Sequence, residues 1–347
     1  MMSLSNILDS QRDESLDIMK GIGILLVVFA HVFHQSGIVY QFHMPLFFIL
    51  CGAAMTYSKH PYSFERKFKS LMIPYLVFSL LCFVYWAVVE SKFRPIQNVS
   101  VILGLSTDFA SVKLQQFINI FLAVNSKSAF AYNIVLWFLP CLFVTEYIYS
   151  FIKSSKYEYV VAACLIAPCY FVFRGSNGLP LCLGMAVTAV PFLALGFHTY
   201  QPFVAFLKKS KICCCIILVA SVITFCSIYA IFQPHTDMAH NVIPYTFYIM
   251  AILGSIVVIT ASLALAKMNW GGQIAYLGKN SLIIMCIHEP IKRIIITLMA
   301  KITHIPSDMM RDEIIYSFIC TLIVIAICIP IIEVINRYLP WMIGRKI

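Results

Sequence analysis

Lys20 and His31 lie on one apolar stretch, LDIMKGIGILLVVFAH, with ten residues between them. At ~1.5 Å per residue a helix sets them ~16 Å apart, too far to touch, and eleven steps of ~100° return both to one face. An ammonium at the entrance and an imidazole base deeper in would line a polar passage through an apolar element. Ionisable side chains at membrane depth are costly and mark function by default. The bland alternative is a lysine that snorkels to the surface and a histidine bonded to a neighbouring helix. His34 and His43 follow within one short turn of His31, and that clustering favours chemistry.

Other residue types repeat the pattern. His43 precedes Met44-Pro45 at the mouth of the second apolar run, placed to orient His31, to contact a substrate or to cap a helix. Glu146 falls inside an apolar run, where a carboxylate needs a partner; Lys20 and His31 are the candidates. His288 and Glu289 lie mid-run with Lys292 and Arg293 just beyond, which implies a polar interior at that depth. His288 is a candidate pocket residue on that ground. Arg66, Lys67 and Lys69 put three cations within four residues, suited to phosphate groups or simply to setting topology. Trp137 could stack on a ring-shaped ligand or belong to an interfacial belt. Asp17 is placed to cap the first helix or to pair with Lys20 three residues on. His235, Asp237 and His240 have the residue types of a metal site, but only three candidate ligands are present; we read a solvated loop and predict no metal.

These residues must be held by membrane helices. Of 347 residues 61% are apolar and 12% charged, about half the charge of a soluble domain. The first apolar run follows an acidic head without a basic leader or small-residue cleavage site, so it is read as a retained span. Most of the thirteen cysteines fall in apolar runs and none forms a CxxC pair, so they read as small buried hydrophobes. The net charge of +10 sits in short loops, which excludes a nucleic-acid surface and indicates topology.

A span needs ~20 apolar residues. Ten are predicted, near 21–39, 43–58, 71–90, 133–152, 157–173, 179–200, 212–232, 244–266, 275–300 and 314–336. With the N-terminus in the cytoplasm, sixteen Lys and Arg fall on the inner side and seven on the outer, as the positive-inside rule requires. The expectation is an all-α polytopic membrane helix bundle of about ten transmembrane helices, both termini cytoplasmic. It forms a single domain over 1–347, with a cytoplasmic head at 1–20 and a long outer loop at 91–132. That loop contains FINIFLAV (117–124), too short to cross and suited to a re-entrant or surface helix.

At this point a family resemblance enters. Lys20, ten residues and His31 resemble the basic-x10-His signature of the acyltransferase-3 family of membrane O-acyltransferases, and LDIMKGIGILLVVFAH is similar to its fucose 4-O-acetylase-like branch. QFHMPLFFILCG (41–52) resembles the family's second-span motif, with Cys51 where Ser is common. ERKFKSLMIPY (65–75), LWFLPCLF (136–143) and LGKNSLIIMCIHEPI (277–291) resemble further family segments in the same order. The resemblance implies a ten-helix bundle that moves an acyl group, usually acetyl, from cytoplasmic acetyl-CoA to a sugar hydroxyl. The acceptor would be a surface or lipid-linked polysaccharide such as O-antigen, and the location the inner membrane if the source is bacterial. His31 would be the base or a transient acyl carrier. Arg66 and Lys69 would bind the donor with Lys20 nearby, and His43, Glu146, His288, Trp137 and Asp17 would support the site or the substrate. Two other readings fit the residues alone: a proton-coupled transporter or flippase for a glycan or small solute, and a non-catalytic assembly component with no dependence on His31.

Overall fold

The computed structural model describes residues 14–58, 62–92, 112–125, 130–153, 155, 178–240, 242–266 and 270–345. These residues build an all-helical bundle, with one isolated bridge between Asp237 and Val242. Backbone groups in an apolar medium must bond within their own segment, which leaves helices as the spanning elements here.

In chain order the elements are α1 (Glu14–Val32), α2 (Gly37–Tyr40), α3 (His43–Thr56), α4 (Phe64–Lys92), α5 (Val112–Leu122) and α6 (Phe138–Ile152). Then come α7 (Leu183–Lys209), α8 (Lys211–Phe232), α9 (Phe247–Leu265), α10 (Gly271–Lys279), α11 (Ser281–Thr303), α12 (Ser307–Asp312) and α13 (Ile314–Tyr338). Eight segments are long and apolar enough to cross a membrane. A ninth, α11, has the length at 23 residues, but Glu289, Lys292, Arg293 and Lys301 lower its hydropathy. The predicted span at 157–173 lies outside the described residues.

Neighbouring helices alternate in direction. Lys208 at the end of α7 reaches Ser15 at the start of α1 (3.4 Å). At the other end, Gln41 bonds the Pro234 carbonyl (2.8 Å) and the Thr236 hydroxyl (2.6 Å), and Cys182 N–H donates to the Ala123 carbonyl (3.1 Å). Gly344 packs on the backbone of Lys69, so the C-terminal turn shares an end with the start of α4. The end that carries Lys20, Arg66 and Lys208 is the one that the charge count assigns to the cytoplasm.

Three predicted boundaries are corrected. The first helix begins at Glu14 and stops at Val32 rather than spanning 21–39. Glu14 and Asp17 suit the positive end of a helix dipole, and Ser15 and Asp17 are buried where α10 crosses α1. The third span starts at Phe64, ahead of the predicted 71, through a π turn at Phe68–Met72. That turn precedes Pro74, which donates no N–H and crowds the carbonyl four residues back; widening the helix there relieves both. The predicted span 275–300 is two helices, broken at Asn280, whose side chain bonds Tyr276 O (2.9 Å) and accepts from Asn336 (2.8 Å).

In the outer loop, α5 is an eleven-residue helix with an inverted face. Gln115, Gln116 and Asn119 are buried, while Leu114, Phe117, Ile118 and Phe121 are exposed. Asn119 and Gln116 accept from Val124 N and Ala131 N, and Tyr75 OH reaches Ile120 O (2.8 Å). The polar face is anchored on the bundle and the apolar face turns towards lipid.

Lipid is as apolar as leucine, so close packing and polar bonds hold such bundles together. The crossing of α3 and α7 depends on Gly52 and Gly196. A Cβ on Gly52 would overlap the Leu193 carbonyl oxygen, and one on Gly196 the carbonyl of Ile49. Neither neighbour is a side chain that can swing away. Gly52→Ala or Gly196→Ala is expected to cost about 1–3 kcal/mol or more, read as a lower thermal midpoint of the detergent-extracted protein. An unchanged midpoint would mean that the helices do not pack this closely.

Candidate active site

His31 occupies the last turn of α1, where carbonyls run out of helical partners. Each of the four is accounted for. Phe29 O accepts from Phe33 N (2.8 Å) and Ala30 O from the Ser36 hydroxyl (2.8 Å). His31 O accepts from Lys292 Nζ (3.2 Å) and Arg311 Nη2 (3.2 Å), and Val32 O from Arg311 Nε (3.0 Å). Two cations at the negative end of a helix dipole are favourably placed. The middle of α11 and the end of α12 thereby fix where the imidazole stands.

The ring has charged company. Glu289 Oε2 is 3.9 Å from His31 Nδ1, within ion-pair reach of a protonated ring and beyond hydrogen-bond length. The same carboxylate bonds Lys292 (2.8 Å) and Arg293 (3.0 Å), and Arg293 continues to Glu90 (3.0 and 3.1 Å) and to the Ala131 carbonyl (2.9 Å). Two carboxylates and two cations balance, as burial demands.

Three further rings surround His31. His288 is fully buried with its ring centroid 5.5 Å away, and Tyr40 stands at 6.2 Å with His43 5.0 Å beyond it. His288 Nδ1 faces the Ile284 carbonyl (2.9 Å) and His43 Nδ1 the Val39 carbonyl (2.9 Å). A carbonyl only accepts, so in both rings Nδ1 carries the proton, and in the neutral ring Nε2 keeps its lone pair. His288 Nε2 is buried without a hydrogen-bond partner.

One cavity of about 1000 Å³ joins His31, Tyr40 and His43 to the opposite end of the bundle, whereas His288, expected as a pocket residue, is packed behind His31 outside the cavity lining. Its walls include His31, Tyr40, His43 and Trp137 at one end and Lys20, Arg66, Lys67, Glu146 and Lys153 at the other, with Cys51 between. Lys20 and His31 therefore open on the same cavity, as their shared helix face requires. Glu146 pairs with Lys67 (2.7 Å) and not with Lys20 or His31. Tyr62 also lines the cationic end, and burial followed by the nearby Glu146 charge pushes its hydroxyl up to about 12, so it stays a neutral donor.

Some expected placements change. Lys69 turns away from the cavity, half exposed, and pairs with Glu65 (2.5 Å); Lys67 takes its place beside Arg66. Lys67, Ser70 and Leu71 line the cavity at i, i+3 and i+4 spacing, and Lys69 falls on the opposite, exposed face with Glu65. Trp137 is buried in the cavity wall rather than in an interfacial belt. Asp17 is buried at the α1–α10 contact, away from the cavity lining. The 235–240 loop is not simply solvated, because Asp237–His240 lines the cavity, with Asp237 and His240 paired at 2.7 Å. Among the described residues no group of three or more His, Cys, Asp or Glu is arranged to hold a metal.

The sequence assigns no role to Tyr40 or Arg311, and points to Lys67 and Glu289 only alongside Arg66 and His288. The i, i+3 and i, i+4 spacing of Glu289 with Lys292 and Arg293 was the available signal. Removing one partner of a buried charge group strands the others. Glu289→Gln is expected to lose about 3–5 kcal/mol, and adding Lys292→Met should recover part of the lost thermal midpoint. Equal midpoints for the single and double variants would show that the two charges are not coupled.

The acyltransferase-3 family model, described as an acyltransferase domain, matches residues 13–333. Neither curated proteins nor solved structures give a match. The matched region takes in the Lys20–His31 helix, the cationic end of the cavity and the Glu289 network. The chain is an integral membrane protein that belongs to the acyltransferase-3 family, and its activity is that of an acyltransferase.

Proposed function

We propose that this chain transfers an acetyl group from cytoplasmic acetyl-CoA to a hydroxyl of a surface or lipid-linked glycan. The observation that carries this reading is the single cavity with cations at one end and His31 at the other. Acyl-CoA brings phosphates that need cationic or N–H partners; Lys20, Arg66, Lys67 and Lys153 supply them on the side assigned to the cytoplasm. The pantetheine arm, an extended chain, then runs along the apolar middle of the cavity towards His31.

A sugar hydroxyl is a poor nucleophile until a base takes its proton. His31 accepts that proton as the oxygen attacks the thioester carbonyl. The tetrahedral intermediate collapses, the C–S bond breaks, and the CoA thiolate takes the proton from the imidazolium. Glu289 lies where it favours the imidazolium formed in between. His43 acts as a hydrogen-bond partner of the reacting hydroxyl, and His288 packs behind the His31 ring.

The test is acetylation of surface polysaccharide, followed by mass spectrometry in cells with and without the protein. With His31→Ala, transfer should fall at least ~100-fold, while the variant still inserts and extracts as a folded protein. Normal acetylation by that variant would contradict the assignment. Movement of glycan across vesicle membranes without CoA release would instead favour a transporter.

A further inference from the structure

We propose that Asp237, His240, Tyr40 and Trp137 form an outer subsite that seats an uncharged, hydroxyl-rich sugar residue of the acceptor. This rests on the acyl-transfer reading and adds to it the place and chemical class of the acceptor.

The loop that carries Asp237 and His240 is built as a wall. Thr236 donates to Gln41 (2.6 Å), Gln41 donates to Pro234 O (2.8 Å), and Asn125 donates to the Ala239 carbonyl. Asp237 and Val242 exchange two backbone bonds of 2.9 Å, and Met238 is buried beneath. The wall thereby faces the cavity that holds His31.

Its side chains are suited to hydroxyl groups. Asp237 takes the His240 ring at 2.7 Å through Oδ2 and the His240 backbone N–H at 3.3 Å through Oδ1; a carboxylate has about four acceptor positions, so about two remain for O–H donors. Burial alone would raise the Asp237 carboxyl, but the hydrogen bond from His240 holds it below its ordinary range, and it is ionised at neutral pH. With Nδ1 given to Asp237, His240 Nε2 is the nitrogen left for a substrate. Tyr40 and Trp137 line the same end, and aromatic side chains of this kind pack against the C–H face of a sugar ring.

Charge sets the class. Apart from histidines, Asp237 is the one ionisable acid or base on the outer wall among the described lining residues, and the opposite end holds four cations and Glu146. Within low-dielectric walls like charges repel strongly. The cationic end takes the polyanionic donor, and the Asp237 end disfavours a uronic acid, a sialic acid or a phosphorylated sugar.

The experiment uses membranes containing the full chain, labelled acetyl-CoA and the endogenous glycan, and compares wild type with Asp237→Asn and His240→Gln. Binding of acetyl-CoA is measured on the same membranes, and mass spectrometry identifies the acetylated residue. The expected result is acetyl-CoA binding within about two-fold of wild type, glycan acetylation reduced about ten-fold or more, and acetyl on an uncharged sugar. Unchanged acetylation in both variants would overturn the subsite. Joint loss of acetyl-CoA binding and acetylation would also overturn it, by making the loop structural. Acetyl found on an acidic sugar would overturn the class. A wild-type chain that acetylates no glycan would overturn the acyl-transfer reading, and the subsite with it.

Discussion

A charge cannot be left alone inside an apolar bundle, and the rest of this structure follows from how Glu289 meets that constraint. Its carboxylate lies between Lys292 and Arg293, and Arg293 leans on Glu90. Lys292 also reaches the carbonyl of His31, so the group that neutralises Glu289 helps to end α1. The position of the imidazole is thus a consequence of charge balance on α11. The same balance explains a spanning-length helix with four charged residues, whose Glu289 and Lys292 turn inward.

Much of this was legible in the sequence. Apolar runs gave the helical class, and the positions of eight of the ten expected spans correspond to apolar helices of crossing length. The spacing of Lys20 and His31 puts both on one helix face, and both side chains line one cavity. What was not legible depended on partners distant in the chain. Asp17 is buried because α10, some 260 residues later, crosses α1 at Gly278, and no local rule announces that. Lys67 rather than Lys69 lines the cavity because the helix meets the bundle on its Lys67–Ser70–Leu71 face, and which face packs inward depends on helices distant in the chain. Asp237 and His240 read as loop residues; anchoring through Gln41 and Asn125, far earlier in the chain, turns that loop over the cavity.

The cavity relates these parts. At one end the cations stand around Glu146, and at the other His31, His43, His240 and Tyr40 surround a space with few charges. Such polarity suits two ligands that arrive from opposite sides and meet at His31. It also accounts for ionisable groups at depth: His31, His43, Lys67 and Glu146 line the cavity, and Glu289, Lys292, Arg293 and Glu90 compensate one another.

The central claim is that the acyl donor enters at the cations and extends along this cavity towards His31. Cys51 lines the cavity between the two ends, so its alkylation reports directly on what fills that space. The most direct measurement is the rate of Cys51 modification by a small maleimide, read by site-resolved mass spectrometry with and without acetyl-CoA. The account predicts that saturating acetyl-CoA slows modification of Cys51 several-fold while the exposed Cys215 and Cys226 react as before. Equal rates at Cys51 with and without a donor shown to be bound would contradict it.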